Sequence, residues 1–455
     1  MSDVESLRLS DADVRKLKHA ATLLNALAGD SEKLDVLLEL QQYLAQRIRS
    51  RERVILRARK IETKLRTSLR RDRLERAESK RVKQVLEDCF VLIDDSRRWI
   101  FLWKCFGDGA ACVYQSPYNL KLLLYDQHYK VKQEAGFITG KEGFDLEWEI
   151  LEACIQNSHP VVLSDLTNMI RIGDVCLLAG PDPLPIEVKS SKTSGARAAR
   201  QQQLLKEITA FYQNDGAEKF KGLHNVERLA MPDGPDYRNL MNDCIRQARA
   251  NGYSIISPEP GLHYAAVTAI DGMEKLDQLV RPWVLPRMLT ADPGWVPCLP
   301  FTLTLEQDNL IPFIAGKVAV FVMMDMEHLK SLFLQHGSHA TMIMDGQSAI
   351  QLCIDPSDLM RGVVRVSEMH FGRVALEFQS LAWFAKENAI SKHEREQSMT
   401  LEELEALPKD SYCFEIPEAW GQVRDFYADA LRGIAPNGDD QGEEGIRDST
   451  FKSSP

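Results

Sequence analysis

Two carboxylates and a lysine fall within sixteen residues of one another in the stretch Met169–Lys192, MIRIGDVCLLAGPDPLPIEVKSSK, and together they could do metal-assisted chemistry. Counted by twos from Ile170, the side chains of Ile172, Asp174, Cys176 and Leu178 share one face of an extended segment. Asp174 therefore sits in an otherwise apolar row, where a lone carboxylate is costly to bury. Gly180-Pro181-Asp182-Pro183 reads as a turn, and Ile186 to Ser190 as a second strand, with Glu187 and Lys189 on one face and Ile186 and Val188 on the other. Pairing of the two strands would bring Asp174 and Glu187 to a divalent cation held by oxygen ligands, with Lys189 beside the reactive centre.

The flanking segments are the elements that would position these groups. Gly143 to Gln156 is predicted helical, with Phe144, Trp148, Leu151 and Ile155 on one face. Glu147 and Glu152 flank that face at equal angles, while Glu149 points away, so the wheel excludes Glu149 and leaves the other two open. Val161 to Leu166 is the expected first strand. After the second carboxylate strand come Ser190, Ser191, Lys192, Thr193 and Ser194, then a helix from about Gly195 to Gln213 with Arg197 and Arg200 in its first turns. Hydroxyls, free amides and arginines at a helix N-terminus suit a phosphate. A strand near Val226–Ala230 and a helix from Tyr237 to Ala250 are expected to close the sandwich.

At these residues the sequence resembles the PD-(D/E)xK nuclease superfamily, the restriction-endonuclease-like fold, with Asp174 as the motif aspartate and Glu187-Val188-Lys189 as its ExK. The resemblance covers about 70 residues, 143–212, and departs from the pattern in having Gly173 where the motif has proline. It implies a fold class, α/β and multidomain, with an α-β-β-β-α-β core. It implies Mg2+ or Mn2+ on Asp174, Glu187 and the carbonyl of Val188, with Lys189 orienting a water or stabilising developing charge. The superfamily's Gly-x-x-x-Glu pattern fits Gly143 and Glu147, which tips the choice to Glu147 as holder of a metal-bound water or second ion. Nucleic-acid contacts would come from Lys192, Arg197, Arg200 and a glutamine of the Gln201–Gln203 run, with Gln203 entered for the set and the inward-facing one left open. The QxxxY pattern of RecB-type members is absent. The activity implied is an endonuclease rather than an exonuclease, acting on DNA, in the setting of a prokaryotic restriction or phage-defence effector. The alternatives are the same chemistry on RNA, and a non-enzymatic scaffold binding nucleic acid or protein in which Asp174, Glu187 and Lys189 form only a structural ion pair.

Charge is strongly polarised along the chain. Between Arg47 and Lys83 there are sixteen Lys or Arg against five acids, a local +11 within a chain of net charge -10. Residues 10–88 contain no Gly or Pro beyond Gly29, and apolar positions recur at helical spacing. One helix to Ala28, a break at Gly29-Asp30-Ser31 with Ser31 as cap, and one or two long helices are predicted. Such helices suit a hairpin or coiled coil with a solvated basic face, which also allows a homo-oligomer through them. They equally suit an arm that tracks phosphates by counterion release, the reading preferred beside a candidate nuclease.

The expected organisation is a basic helical arm over 1–89, a β-hairpin and connector over 90–135, a nuclease-like core over 136–254, an α+β domain over 255–432 and a disordered acidic tail over 433–455. The hairpin rests on the apolar runs Phe90–Ile93 and Trp99–Trp103 around Asp94-Asp95-Ser96-Arg97. Arg281–Pro300, with five prolines, reads as an irregular loop. Val318–Met324 reads as a buried strand, Glu327–Gln335 as a helix, Thr341–Ile354 as a hairpin turning at Asp345-Gly346, and Ala375–Asn388 as a helix. His328, His336 and His339 read as surface histidines rather than a metal site. The nine cysteines form no CxxC pair, and there is no signal-like segment or long apolar run, which points to a cytoplasmic protein without a membrane partner. P-loop, Rossmann, HExxH and GxSxG motifs are absent.

Overall fold

The computed structural model describes residues 9–71, 75–134, 136–188, 196–228, 234–268, 281–346, 348–356 and 364–398, with the short pieces 274–276 and 279. It is a mixed helix and sheet protein with small antiparallel sheets, divided into two compact units: 11–230 with 292–303, and 1–10, 231–291 and 304–455.

The first unit is built on three helices, α1 (Asp11–Gly29), α2 (Leu34–Arg71) and α3 (Arg76–Tyr114). The helix break falls where glycine predicts it, but α2 begins at Leu34; ahead of it, the Asp30 carboxylate accepts from the Glu32 amide. Leu17, Leu24 and Leu27 of α1 and Leu37, Leu40, Leu44 and Ile48 of α2 are buried at the i, i+3, i+4 spacing that makes one apolar stripe. The expected hairpin over 90–103 is instead the middle of α3. Over this run Cys89, Ile93, Ser96, Trp99 and Trp103 are buried at helical spacing, but apolar residues also occupy the outward face, which hides that period in the sequence. Trp99 and Trp103 stack at 5.5 Å, while Phe90, Val91 and Leu92 stand exposed.

Glycine lets α3 lie against the next layer. A Cβ on Gly107 would fall 1.9 Å from the Leu166 carbonyl oxygen, and one on Gly109 would meet Leu24 at 2.7 Å. That layer holds α4 (Pro117–Leu120), α5 (Phe144–Gln156) and a three-stranded antiparallel sheet in the order β1 (Val161–Leu163), β2 (Val175–Leu177), β3 (Leu184–Ile186). Val175 pairs with Ile186, so the second strand lies at 184–186, earlier than the predicted 186–190. α6 (Ala196–Asn214) follows. Next, β4 (Gly216–Phe220) and β5 (Leu223–Glu227) form a two-stranded sheet of their own and do not join the first.

In the second unit α7 (Arg238–Asn251) packs on β6 (Tyr253–Glu259) and β7 (Leu262–Val267), the Cys244 thiol donating to the Ser254 carbonyl. This corrects the expectation that 237–250 closes the first sheet. The sheet order is β6, β7, β9, β8, with β8 at Val284–Leu289 and β9 at Ala319–Asp325. β8 lies inside the proline-rich stretch read as a loop. Its Pro286 is tolerated because β8 is an edge strand and has only one ladder to serve. α8 (Gln307–Ile314) precedes β9, and α9 (Met326–Gln335) follows it. The predicted hairpin is β10 (His339–Met342) with β11 (Ser348–Cys353), and β12 (Val364–Ser367) is its third strand. The helix expected over 375–388 is two, α10 (Glu368–Leu376) and α11 (Leu381–Ser398). Residues 433–455 lie outside the described residues.

Candidate active site

Four side chains from four segments of the first unit meet at the ammonium of Lys141. Its Nζ lies 2.9 Å from Glu147 Oε2, 2.8 Å from Asp165 Oδ2 and 3.1 Å from Asp174 Oδ1. Glu147 and Asp165 are buried, and Asp174 and Lys141 are half-buried.

Each partner is fixed by its own local device. Glu147 lies in the first turn of α5, where a carboxylate is favoured by the helix dipole, and α5 starts after Gly143 at φ 91°. Asp165 sits in a 3-10 turn directly after β1, the turn that closely approaches Gly107. Asp174 immediately precedes β2; its N–H donates to the Ile186 carbonyl, its own carbonyl accepts from the Ser164 amide, and its Oδ2 accepts from the Val188 amide at 2.9 Å. Lys141 follows a loop held by Glu52, a buried carboxylate of α2 that accepts from the Ile138 and Thr139 amides.

Further buried polar groups on the helices hold the sheet in place. Gln41 of α2 donates to the Val161 carbonyl and accepts from the Leu163 amide, completing the free edge of β1. Asp108 of α3 accepts from the Asn168 and Met169 amides and from the Asn168 side chain, fixing the run into β2. Burial raises the Asp108 carboxyl to about 6 against those hydrogen bonds. Gln115 donates to the Leu178 and Gly180 carbonyls at the far end of β2.

The electrostatics follow from three acids sharing one base. Burial pulls the Lys141 ammonium down, but Asp165, Glu147 and Asp174 outweigh it and hold the lysine above its ordinary value. Glu147 is pushed up to about 7, first by burial and then by Asp174 and Asp165, against the hydrogen bond from Lys141. Three carboxylates face one ammonium, so the cluster is short of positive charge.

Of the residues singled out in the sequence, Glu147 and Asp174 are brought together. Glu152, the other candidate on the wheel, accepts instead from Trp148 Nε1 at 2.8 Å, and Glu149 is exposed. Glu187 and Val188 follow β3 at the same end of the ladder as Asp174, with Glu187 half-buried. Lys189 and Lys192 lie outside the described residues, as does the side chain of Arg197. Arg200 and Gln203 are exposed on α6, and Gln203 donates to Glu207 within that helix. Lys141 and Asp165 were missed by the sequence reading. Asp165 carried a usable signal, a lone acid ending the apolar run Val161-Val162-Leu163; Lys141 carried only its place between two glycines.

The groups around Lys141 Nζ are all carboxylate oxygens, the donor type that a hard divalent ion takes, but the point they share is the lysine ammonium itself. The ammonium holds that centre here, and among the described residues no group of three or more His, Cys, Asp or Glu side chains is arranged as a metal site. Among the described residues no helix is long and apolar enough to cross a membrane. Comparison with family models, curated proteins and solved structures gave no match for this chain.

Proposed function

We propose that the protein is a metal-dependent nuclease that hydrolyses phosphodiester bonds of DNA, with Glu147, Asp165 and Asp174 as its acidic centre and Glu187 at its margin. The convergence of three carboxylates within 3.1 Å of one cationic atom carries the reading. Packing alone gives no reason to gather three acids, and a hydrated divalent ion does. The resemblance at Asp174 and Glu187-Val188-Lys189 supports it, as does the chain order α5, β1, β2, β3, α6. A divalent ion such as Mg2+ or Mn2+, when bound, supplies a more acidic water and neutralises charge on the phosphate.

The residues have separable tasks. Asp174, Glu147 and Asp165 hold the ion, and Val188 fixes the Asp174 carboxylate through its amide. Lys141, kept protonated, can turn its ammonium to a non-bridging phosphate oxygen once the carboxylates have another cation. Glu147 would hold the ion or a water bound to it, as the resemblance implies. Lys189 takes the motif's lysine role.

A second reading is favoured by the same contacts: Lys141 already pairs with all three acids, which suits a scaffold whose ion network only fixes the sheet. Purified protein with Mg2+ or Mn2+ should degrade plasmid or single-stranded DNA, with RNA as a parallel substrate. Asp174→Asn and Lys189→Ala should each lower the rate at least about 100-fold. Absence of cleavage by folded wild type with either metal on either nucleic acid would leave the scaffold.

A further inference from the structure

The basic residues of α2 are sorted by the helix into one stripe. At 100° per residue, Arg49, Arg53, Arg57, Lys60, Lys64 and Arg71 point within about 40° of the Arg53 direction. The opposite side carries Ile48, Ile55 and Ala58, which are buried. No carboxylate interrupts the stripe: between positions 49 and 71 the only acids of α2 are Glu52, buried, and Glu62, which pairs with Arg66. All six cations but Arg49 are exposed, and the stripe runs about 33 Å along the helix.

Its inner end opens on a built feature. Arg49 and Arg53 line a cleft of about 590 Å³ between α2 and α5, together with Phe144, Trp148, Asp145 and Glu149. The Arg49 guanidinium lies 4.1 Å over the Phe144 ring, and Phe144 and Trp148 stack at 6.0 Å. Trp148 is half-buried and its indole N–H is held by Glu152, so the ring has a fixed orientation. Two arginines balanced by two carboxylates make the cleft itself neutral. A phosphate gains little inside it, whereas an uncharged planar ring gains stacking and hydrogen-bond partners, and the charged backbone belongs on the stripe.

We infer that the stripe on α2 and the α2–α5 cleft form one binding track for single-stranded nucleic acid, with phosphates along Arg53 to Arg71 and an unpaired base in the cleft against Trp148. The cleft is lined by residues on either side of Glu147 in α5, so the track delivers a strand to the helix that carries the acidic centre. Only this delivery step rests on the nuclease reading; binding does not.

The test measures binding in EDTA, where no metal-dependent cleavage occurs, by fluorescence anisotropy with labelled single strands of DNA and of RNA and with the matching DNA duplex. Five phosphate contacts, Arg53 to Arg71, predict a log–log salt slope of about −3.5 for a single strand. The variant Arg57→Glu/Lys60→Glu/Lys64→Glu, all at exposed positions, should flatten the slope by about 2 and weaken binding at least about 30-fold at 100 mM salt. Trp148→Ala should weaken single-strand binding about tenfold, leave the slope unchanged and leave duplex binding unaffected. Trp148→Phe should restore most of the loss, which separates stacking from a folding defect. A triple variant with the wild-type slope, or a Trp148→Ala protein that binds single strands as tightly as wild type, overturns the inference. Hydrolysis with Mg2+ by a protein that fails these binding tests would leave the nuclease reading standing alone.

Discussion

Replacing Lys141 with methionine keeps the side-chain length and removes the cation that, among the described residues, the three carboxylates share. The ammonium makes three contacts of 2.8 to 3.1 Å, and Glu147 and Asp165 are buried. Removing one partner of a buried ion pair costs about 3–5 kcal/mol, because the remaining charge stays desolvated. The half-exposed path to Asp174 and Lys141 lets water screen part of this, so we expect about 3 kcal/mol at pH 8. The cost should shrink as pH falls through about 7, because Glu147 can then take a proton in place of its contact with the lysine. Lys141 has its folded value raised above the unfolded one, so its own contribution is complete throughout pH 5–8 and is lost only as pH rises through the folded value. Urea unfolding of wild type and Lys141→Met at pH 5 and pH 8 measures the difference. With Mg2+ at 100 times its dissociation constant, the variant should recover about 2.7 kcal/mol, because the ion takes over the role of the ammonium. A variant within about 0.5 kcal/mol of wild type at both pH values would refute the idea that these acids depend on one shared cation. Recovery of none of the loss with Mg2+ or Mn2+ would count against a metal at this centre.

Glu147 has the same sign as Lys141 but acts in a lower pH window: its folded value of about 7 lies above its unfolded value, so its contribution is full below the unfolded value and lost as pH rises through 7. Wild-type stability should therefore fall by at most about 3 kcal/mol between pH 5 and pH 8, and Glu147→Gln should flatten that profile in urea titrations at a series of pH values. Gly107→Ala should cost about 3 kcal/mol, since the added carbon falls 1.9 Å from the backbone oxygen of Leu166, and the loss of Asp165 placement should abolish cleavage along with it. Gln41→Ala leaves the Val161 carbonyl and Leu163 amide without their partner, so unfolding should become easier by about 2–3 kcal/mol, and hydrogen exchange at Leu163 should accelerate.

Local chemistry determined much of this chain before any packing was considered. The long helices, the break at Gly29, the turn at Gly180–Pro183, the hairpin at Asp345-Gly346 and the strand 319–325 all follow from spacing and turn residues. The same reasoning identified Asp174 as an acid in a buried row. It could not separate helix from strand where apolar residues stand on the outward face as well, as Phe90, Val91 and Leu92 do, which is why the run 90–103 reads as a hairpin and forms α3. Periodicity carries information only when the face that meets water is polar. Nor could a helical wheel choose between Glu147 and Glu152, because the choice depends on what stands opposite α5. Tertiary structure decided that, by placing Lys141, from a loop pinned by Glu52 of α2, within reach of acids drawn from α5, the turn after β1 and the start of β2. A centre made of groups 141, 147, 165 and 174 has no fixed sequence spacing to recognise. It exists because Gly107 admits the turn that bears Asp165, and Asp108 holds the loop that leads to Asp174.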